Sequence, residues 1–422
     1  MVHPYAAMYL HPWDLVDEGP ESVLERMAHS GINAVNIAAS YHSGRYLLPH
    51  NPKRRIYYAE EGVVYFAPDL KQYRDSRFKP QRSGTFSGVD VLRLISEHSK
   101  RYGMRTNAWT VLLHNSLLGS RHPEATITNL QGDREVNSLC PNNPDAQEYV
   151  RALVGDLASN HELDSISLES ASFPWGAYHG DHHEMIGVPL EPILNELLAS
   201  CFCVHCSGQA KNWGINLLKV REVARRIVRE TINDPVSANV SEEERLRNYH
   251  AVTSGVPEIA DLIRFKMRTS EEMLRLARES IRSADRGCEL HLIVQGVFPK
   301  EVGVVSRISE GISFSGISKV VDAINLMTFA RDPGTVLYNV RWSKLELGGT
   351  KLIASLRPNY PIAYTSTSLL EQIQNVFVGG ADGIAFHSYG MTPLSQFHWI
   401  KEGLIREKRR GRAKDSKLPR AG

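Results

Sequence analysis

The stretch Asn143–Glu169, NPDAQEYVRALVGDLASNHELDSISLE, predicts one helix followed by one strand. Asn143 can cap the helix, Pro144 suits its first position, and apolar residues form a stripe along one face. The stripe consists of Ala146, Tyr149, Val150, Leu153, Val154 and Leu157. The segment DSISLE then alternates polar and apolar residues, which is typical of a strand. Its polar face carries Ser165, Ser167 and Glu169.

The same alternation of strand and helix recurs along the chain. Eight apolar strand-like runs are followed by helix-like segments, the order expected of a parallel sheet with crossover helices. The predicted strands are residues 6–10, 34–39, 105–112, 165–169, 289–294, 323–329, 351–356 and 383–387. Eight such units predict an α/β fold of the (β/α)8 TIM-barrel type. We expect the barrel to span residues 1–405, with insertions at about residues 44–87 after strand two and 170–285 after strand four.

Composition and charge narrow the class of protein. The chain has 422 residues, 42% of them hydrophobic, and a formal net charge of +2, which suits a large globular domain. No apolar run reaches the roughly 18 residues of a membrane helix, and residues 1–14 lack the basic start and long apolar core of a secretion signal. We therefore expect a cytoplasmic protein that binds no membrane.

Basic residues concentrate at the end of the sequence. Residues 406–422 carry eight basic and two acidic side chains, a net +6 that leaves −4 for the preceding chain. Nucleic-acid binding uses basic side chains on a folded face with aromatic platforms, whereas this segment contains Gly and Pro and no aromatic residue. We interpret it as a disordered, solvated tail and expect no nucleic-acid partner.

Three of the five cysteines lie within six residues, in the stretch ASCFCVHCSG at residues 199–208. Thiolates at Cys201, Cys203 and Cys206 would supply three corners of a tetrahedral zinc site. Cys140 is the natural fourth ligand, although His205 could replace a thiol, and reduced thiols without a metal are the alternative. Four thiolates would form a closed structural site that joins the long loop to the barrel and takes no part in catalysis.

A family resemblance runs through the same segment. A CPNNP sequence that opens a helix, a strand that ends in Glu169, and the CFCVHC cluster followed by QAKNW resemble the middle of the family 42 β-galactosidases. The stretches SLRP and AFHSYG also resemble other glycosidase-like barrels. The first resemblance covers residues 139–213 and implies a structural zinc bound by the cysteines. It also implies that Glu169 is the general acid/base, although Leu168 stands where the family has Asn.

The second catalytic Glu of that family has no counterpart here. Residues 347–370 contain no Asp or Glu, and Arg357 lies in that segment. Glycoside hydrolysis uses two carboxyl groups, so another partner for Glu169 is needed. Asp332 after strand six and Asp14 after strand one are the candidates, although Asp332 could only shape a turn and Asp14 could cap the next segment. The strand pattern points Glu169 into the barrel, where burial could raise its pKa; a structural ion pair is the alternative.

Polar and aromatic residues recur at the predicted C-terminal ends of the strands. Such side chains suit a sugar, whose hydroxyl groups need hydrogen bonds and whose apolar face stacks on rings. The candidate substrate-binding residues are Tyr41, His42, Arg45, Trp109, His114, Asn115, Gln295, Arg357, His387 and Tyr389. Arg357 with His42 or Arg45 could also hold an anionic group of an acidic sugar. Residues 178–184, rich in His and acidic side chains, could reach over the mouth or bind a metal, although a solvated loop is the simpler interpretation.

These observations favour a glycoside hydrolase that acts on a small glycoside or oligosaccharide. Glu169 would be the general acid/base, and the second catalytic group would be a non-standard one. Two alternatives stay open at this point. One is a sugar isomerase or lyase that transfers protons with histidines and a carboxylate, and the other is a carbohydrate-binding barrel without catalysis. The expected partner is a small carbohydrate, and we also expect the protein to form homo-oligomers.

Overall fold

The computed structural model describes residues 5–176, 191–233, 241–284, 286–296, 307–363 and 365–415. Eight parallel strands, here numbered β1 to β8, form its centre. They are β1 Tyr5–Leu10, β2 Ala34–Tyr41, β3 Arg105–Val111, β4 Ser165–Glu169, β5 Glu289–Gln295, β6 Ala323–Met327, β7 Lys351–Leu356 and β8 Gly383–Phe386. All eight predicted strands are confirmed, and their ends agree with the prediction to within two residues.

The sheet closes into a barrel because β1 pairs with both β2 and β8. Tyr5 lies opposite Gly383 of β8, and Ala7 lies opposite Ala34 of β2. The other neighbours pair in the order β2, β3, β4, β5, β6, β7, β8, all in parallel. The predicted (β/α)8 TIM barrel is therefore confirmed.

Helices surround the barrel and build its insertions. They are α1 Pro12–Glu18, α2 Pro20–His29, α3 Val91–Ser99, α4 Ser116–Arg121, α5 Pro144–Asn160, α6 Pro192–Leu198, α7 Val204–Asn212, α8 Leu217–Asn233, α9 Glu242–Gly255, α10 Pro257–Ser283, α11 Phe314–Ile317, α12 Pro333–Leu347, α13 Ser366–Val378 and α14 Gln396–Asp415. Helix α5 begins as the sequence predicts, because the Asn143 side chain accepts hydrogen bonds from the backbone N–H groups of Asp145 and Ala146. None of the helices in the described part of the chain combines the length and the apolar composition needed to cross a bilayer.

Polar side chains fill part of the barrel interior, as the alternation in β4 predicts. The Asn107 amide donates to Asn36 Oδ1 at 2.8 Å and accepts from Ser165 Oγ at 2.8 Å. One layer higher, the Asn325 amide donates to Ser167 Oγ at 3.3 Å. These hydrogen bonds pair part of the buried polar groups with one another, although Asn36 Nδ2 and Asn325 Oδ1 have no partner among the described residues.

Three insertions follow consecutive strands. The first, after β2, contains a hairpin of Gly44–Leu47 and Ile56–Ala59 and the short strands Val63–Val64 and Gln81–Arg82. The second, after β3, was not predicted. It contains α4 and a hairpin of Thr126–Thr128 and Arg134–Leu139. The third, after β4, contains α6 to α9 and the first part of α10.

Helix α10 belongs to two hydrophobic cores. Its second half contributes Met273, Leu274, Ala277 and Ile281 to the barrel core. Its first half contributes Ile259, Leu262 and Phe265 to a satellite core with Cys140, Cys201 and Cys206. The insertion after β4, expected to run to about residue 285, therefore shares α10 with the barrel.

The end of the chain differs from the predicted tail. Helix α14 continues to Asp415, so residues 406–415 are helical, and residues 416–422 lie outside the described part. Arg406 pairs with Glu402, and Arg410 pairs with Glu407 at 2.8 Å. Such pairs one turn apart support a helix in a charged segment, which explains how the basic run extends α14.

Candidate active site and cysteine centre

Glu169 lies at the C-terminal end of β4, inside the barrel. Its side chain is buried, and its Oε2 accepts a 2.6 Å hydrogen bond from the indole Nε1 of Trp109 on β3. Burial raises the pKa of Glu169, while His42 and the indole hydrogen bond oppose that rise. Ser170, the next residue, has a positive φ of 51°, which is uncommon for a side chain other than glycine and marks a sharp change of chain direction. The Glu169 side chain therefore lies inside the barrel, the orientation that the strand pattern predicts.

Aromatic and histidine rings surround Trp109 and form what we call the ring cluster. Ring centroids lie 4.6 Å apart for Tyr41 and Trp109, 5.0 Å for Tyr9 and Trp109, and 5.3 Å for Trp109 and His387. The cluster contains Tyr9, His11, Tyr41, His42, Tyr46, Trp109, His114, Phe329 and His387. These rings come from the ends of five barrel strands and from the first insertion, so the cluster occupies the C-terminal face of the barrel.

The insertions hold the two outer histidines of the cluster in place. Glu61 of the first insertion accepts hydrogen bonds from the backbone N–H groups of Ser43 at 2.8 Å and of Ser116 at 2.9 Å. One carboxylate therefore ties the loop after β2 to the loop after β3. This tie sets the rings of His42 and His114 5.0 Å apart.

Two histidines of the cluster are neutral at physiological pH. Burial, with a smaller contribution from His42, lowers the pKa of His11 to about 3. Burial also lowers the pKa of His387 well below its usual value, and Arg357 adds to this effect. Neutral imidazoles donate one hydrogen bond and accept another, which suits them to binding sugar hydroxyl groups.

Arg357 follows β7 at the same face of the barrel. Its guanidinium carbon lies 4.6 Å from the centroid of the Phe329 ring, and Phe329 in turn lies 5.5 Å from His387. Burial lowers the pKa of Arg357, whereas Tyr41 and Tyr46 favour its charged form. An arginine stays protonated under such conditions, so this side chain places a positive charge beside the ring cluster.

A second buried carboxyl group lies near Glu169. Glu310, in the connection after β5, is only 3% exposed, and its Oε1 has no hydrogen-bond partner among the described residues. The hydroxyl of Ser270 donates to the Glu310 carbonyl at 2.8 Å and contacts the Ser172 hydroxyl at 2.6 Å. Ser172 is three residues beyond Glu169, so one serine bridges the two segments. Burial raises the pKa of Glu310 well above its usual value, the Glu169 charge raises it further, and Lys266 and Arg307 oppose the rise.

The two predicted partners of Glu169 have other roles. Asp332 is exposed and caps α12, since its Oδ2 accepts from the backbone N–H of Thr335 at 2.8 Å and from its hydroxyl at 2.9 Å. Asp14 is fully buried in the first turn of α1, where Oδ2 accepts from the His11 backbone N–H at 2.9 Å. Its other oxygen packs against Gly390. Neither carboxyl group is brought into the ring cluster, because each is used at the start of its own helix.

Three predicted substrate-binding residues also lie elsewhere. Arg45 is exposed on the outer face of its hairpin, over the ring of Tyr58, while its neighbour Tyr46 faces the cluster. Asn115 caps α4 by accepting from the Leu118 backbone N–H at 2.9 Å. The Tyr389 hydroxyl bonds Glu18 at 2.9 Å and also Arg26, beneath α1 and α2. In the structure these three side chains are therefore engaged outside the ring cluster, in a hairpin face, a helix cap and an ion-pair network.

The remaining predicted residues lie at the C-terminal face. Tyr41, His42, Trp109, His114 and His387 are members of the ring cluster, and Arg357 lies beside it. Gln295 is buried at the end of β5, with its Nε2 3.5 Å from Met327 Sδ. The structure adds Tyr9, His11, Tyr46, Phe329 and Glu310, which sequence reasoning missed.

Four cysteines form a compact cluster, as the sequence predicts. The sulfur of Cys140 lies 3.5 Å from those of Cys203 and Cys206, and 3.8 Å from that of Cys201. These distances exclude disulfides, whose sulfurs are about 2.05 Å apart. Four thiolates bound to one zinc at about 2.3 Å would place their sulfurs about 3.8 Å from one another. The cluster is therefore shaped to bind a metal ion with tetrahedral geometry.

Hydrogen bonds around the cysteines orient the sulfurs. The Thr128 backbone N–H donates to Cys201 Sγ, and the Asn142 side chain donates to Cys206 Sγ, each at 3.4 Å. Thr128 comes from the unpredicted hairpin after β3, and Cys140 follows that hairpin. The centre thus joins the insertions after β3 and β4. Residues 178–184, the acidic, histidine-rich segment of the third insertion, lie outside the described residues.

Comparison with known proteins shows that the chain shares its fold with solved structures. No family model and no curated protein sequence matches the chain. Among solved structures, the chain is similar to the catalytic domain of β-amylase from Paenibacillus polymyxa, with a TM-score of 0.58 and 10% identity over 96% of this chain and 98% of that domain. It is also similar to the GH42 β-galactosidase Gan42B of G. stearothermophilus, solved as its E323A catalytic mutant, with a TM-score of 0.55 and 12% identity over 96% of this chain and 56% of that one.

A third similar structure is α-L-fucosidase isoenzyme 2 from Paenibacillus thiaminolyticus, with a TM-score of 0.53 and 11% identity over 96% of this chain. The present chain spans about half the length of that fucosidase, 49%, and little more of the β-galactosidase. The fold is therefore that of barrel glycosidases, and the expected likeness to family 42 β-galactosidases is confirmed as a likeness of fold.

Proposed function

We propose that the protein is a glycoside hydrolase with Glu169 as its general acid/base. The observation that carries this proposal is the position of the Glu169 carboxyl group, buried at the end of β4 and held by the Trp109 indole within the ring cluster. A carboxylic acid with a raised pKa keeps its proton toward neutral pH and can donate it to a leaving oxygen. The rings around it offer stacking surfaces and hydrogen bonds suited to a sugar.

Glu310 is the second carboxyl group in this proposal. Two carboxyl groups that interact in a desolvated site resist simultaneous ionisation, which favours a state in which the pair shares one proton. With a glycoside bound, Glu169 holds that proton beside the leaving oxygen, and ionised Glu310 acts on the anomeric carbon directly or through water. Lys266 and Arg307 favour the ionised form of Glu310, but burial and Glu169 keep its pKa well above the usual value, so this division of roles requires the bound glycoside to place the shared proton on Glu169. Glu310 replaces Asp332 and Asp14 as the non-standard second group.

Zinc is the metal we propose for the cysteine cluster. Soft thiolate ligands select zinc among the common divalent ions, and the sulfur spacing suits its tetrahedral geometry. Cys140, Cys201, Cys203 and Cys206 would hold it. With four protein ligands the ion has no open position, so its role is to join the insertions after β3 and β4 and not to activate water.

The hydrolase proposal is tested with phenyl glycosides, whose leaving group needs a proton. The wild-type protein and the Glu169→Gln, Glu310→Gln and Glu97→Gln variants are assayed on a panel of sugars and both anomers. Glu97 is an exposed residue of α3 and serves as the matched control. We expect Glu169→Gln to lower kcat/KM about 10²- to 10⁴-fold, Glu310→Gln to lower it severely, and Glu97→Gln to leave it unchanged. Hydrolysis that survives Glu169→Gln would reject the proposal.

A carbohydrate-binding barrel without catalysis is the second candidate. It is favoured by the position of Arg357, which follows β7 where the resemblance leads one to expect a catalytic carboxylate. Calorimetry on the same panel of sugars separates the two candidates, because a binding protein would take up sugar with no hydrolysis in any variant. An isomerase or lyase would instead convert a free or glycosidic sugar without adding water, which mass spectrometry of the products detects.

A further inference from the structure

Arg357 is partly buried and differs from other partly or fully buried cations of the barrel and its insertions. Lys266 pairs with Glu196 at 2.6 Å, and Arg54 pairs with Asp17 at 2.7 Å. Arg26 pairs with Glu18 at 2.8 Å. Among the described residues, no carboxylate pairs with Arg357, and its Nε is buried without a hydrogen-bond partner. A partly desolvated cation without a counter-charge is less favourable than a paired one, so an anion bound from outside would stabilise this arrangement.

The surroundings of Arg357 hold its guanidinium in one orientation. The group stacks on Phe329 at 4.6 Å, which leaves its edge free to make hydrogen bonds in its own plane. The described groups that interact electrostatically with the guanidinium include Tyr41, Tyr46 and His387. Burial keeps the phenols of Tyr9 and Tyr41 and the imidazole of His387 uncharged at neutral pH, because it raises the pKa of the two phenols and lowers that of His387. The ring cluster therefore supplies hydrogen bonds and no negative charge on this side of the site.

The position of Arg357 relative to Glu169 indicates which molecule carries the anionic group. Phe329 links Arg357 to His387 at 5.5 Å, and His387 lies 5.3 Å from Trp109, which donates to Glu169. The guanidinium and the Glu169 carboxyl thus both border the ring cluster. A single sugar ring bound among them would present one substituent to Arg357 and its glycosidic oxygen to Glu169.

We propose that Arg357 binds an anionic group on the sugar itself, so that the protein selects acidic glycosides over neutral ones. The proposal rests on the proposed function, because it assigns the substrate class of the same site. The planar guanidinium fork matches the two oxygens of a carboxylate or of a phosphate, and such paired contacts are stronger than neutral hydrogen bonds. A uronic acid and a sugar phosphate share this chemistry, and the experiment distinguishes them.

The test measures binding by calorimetry with the full-length protein and four probes. Glucuronate and galacturonate carry a carboxylate, glucose 6-phosphate carries a phosphate, and glucose is neutral. The variants are Arg357→Gln and Arg357→Lys, with Arg151→Gln as the control because Arg151 is an exposed residue of α5. Circular dichroism checks that each variant is folded.

We expect at least one anionic probe to bind more tightly than glucose, and Arg357→Gln to weaken that binding about 10- to 100-fold. Arg357→Lys should retain part of the affinity, because it keeps the charge and loses the planar fork, and Arg151→Gln should change nothing. Preference for the uronates or for the phosphate identifies the group. Equal binding of glucose and the anions, or anion binding unchanged in Arg357→Gln, would overturn the inference.

The two proposals fail in different ways. If neutral phenyl glycosides are hydrolysed in a Glu169-dependent manner while anions gain no affinity, the substrate inference is wrong and the hydrolase proposal stands. If anions bind through Arg357 and no glycoside is cleaved, the hydrolase proposal is wrong and the Arg357 site stands.

Discussion

The indole Nε1 of Trp109 lies 2.6 Å from Oε2 of Glu169, a short hydrogen bond between two buried side chains on neighbouring strands. The parallel pairing of β3 and β4 produces this contact, since Trp109 lies opposite Ser167 and Glu169 follows two residues later on the same face. Burial and the indole act on the carboxyl group in opposite directions. Desolvation favours its neutral form, and the indole N–H favours the carboxylate.

Trp109→Phe should therefore raise the pKa of Glu169 further. If Glu169 donates a proton, activity falls at high pH as this group ionises, so the variant should lose activity at a higher pH than the wild type, by about one unit. The measurement is kcat/KM against pH. Trp213→Phe, in the satellite core, is the control and should leave the profile in place. If Trp109→Phe loses activity at the same pH as the wild type, the indole does not influence the pKa of the catalytic carboxyl group.

Cys203→Ser should reduce the bound metal and the stability together. Cys203 is one of the four clustered thiols, and a serine hydroxyl is a poor replacement for a thiolate ligand of zinc. Metal analysis should show less zinc per chain, and the Tm should fall, while molecules that stay folded keep their kcat. Cys288→Ser is the matched control because Cys288 is buried outside the cluster. Full zinc content in Cys203→Ser would reject the ligand set.

The wild-type protein should lose stability as the pH rises, and Asp14→Asn should reduce that loss. Burial raises the pKa of Asp14 to about 7 in the folded protein, compared with about 3.9 when unfolded. A raised folded-state pKa gives stability that is present below pH 4 and lost as the pH rises through 7, on the order of a few kcal/mol. Urea unfolding at pH 4 and pH 8 should show a smaller decrease for Asp14→Asn than for the wild type.

The control for that experiment is Asp75→Asn, because Asp75 is highly exposed. It should reproduce the wild-type dependence on pH. The same decrease in Asp14→Asn and in the wild type would mean that Asp14 ionises normally in the folded protein.

Removal of one partner of the buried Lys266–Glu196 pair should lower stability strongly, whereas replacement of both by apolar residues should lower it little. Both side chains are fully buried, 2.6 Å apart, and Ser309 Oγ also donates to Glu196 at 2.6 Å. Lys266→Met leaves an uncompensated carboxylate and should lower the free energy of unfolding by about 3–5 kcal/mol. The double variant Lys266→Met with Glu196→Leu should recover most of that loss. A double variant as unstable as the single one would show that the pair is needed for more than mutual neutralisation.

The barrel strands were predictable because each is a short apolar run followed by a helical pattern, and this local information is enough to count the units. The hairpin Thr126–Thr128 and Arg134–Leu139 was not, since its strands are short and mostly polar. Extension of α14 through a basic run was missed because composition alone does not reveal pairs such as Arg410 with Glu407. Self-association and cytoplasmic location stay predictions.

The site was predictable wherever strand alternation sets the direction of a side chain, as for Glu169 and Trp109. The same rule applied to β1 would have found His11, which lies two residues beyond inward-facing Tyr9. The sequence Asp332-Pro-Gly, for which a turn was the alternative interpretation, instead begins α12, with Asp332 as the cap and Pro333 in the first turn. Glu310 could not be predicted from a local sequence pattern, because only the fold of the connection after β5 brings it near Glu169.

The most direct test of Glu169 as proton donor compares two leaving groups in Glu169→Gln. Dinitrophenolate is a good leaving group that needs no proton, whereas phenol or an alcohol requires one. Single-turnover cleavage of a dinitrophenyl glycoside should stay near the wild-type rate in this variant, while cleavage of the phenyl glycoside of the same sugar falls about 10²- to 10⁴-fold. Equal losses on both substrates would contradict a role for Glu169 as the acid.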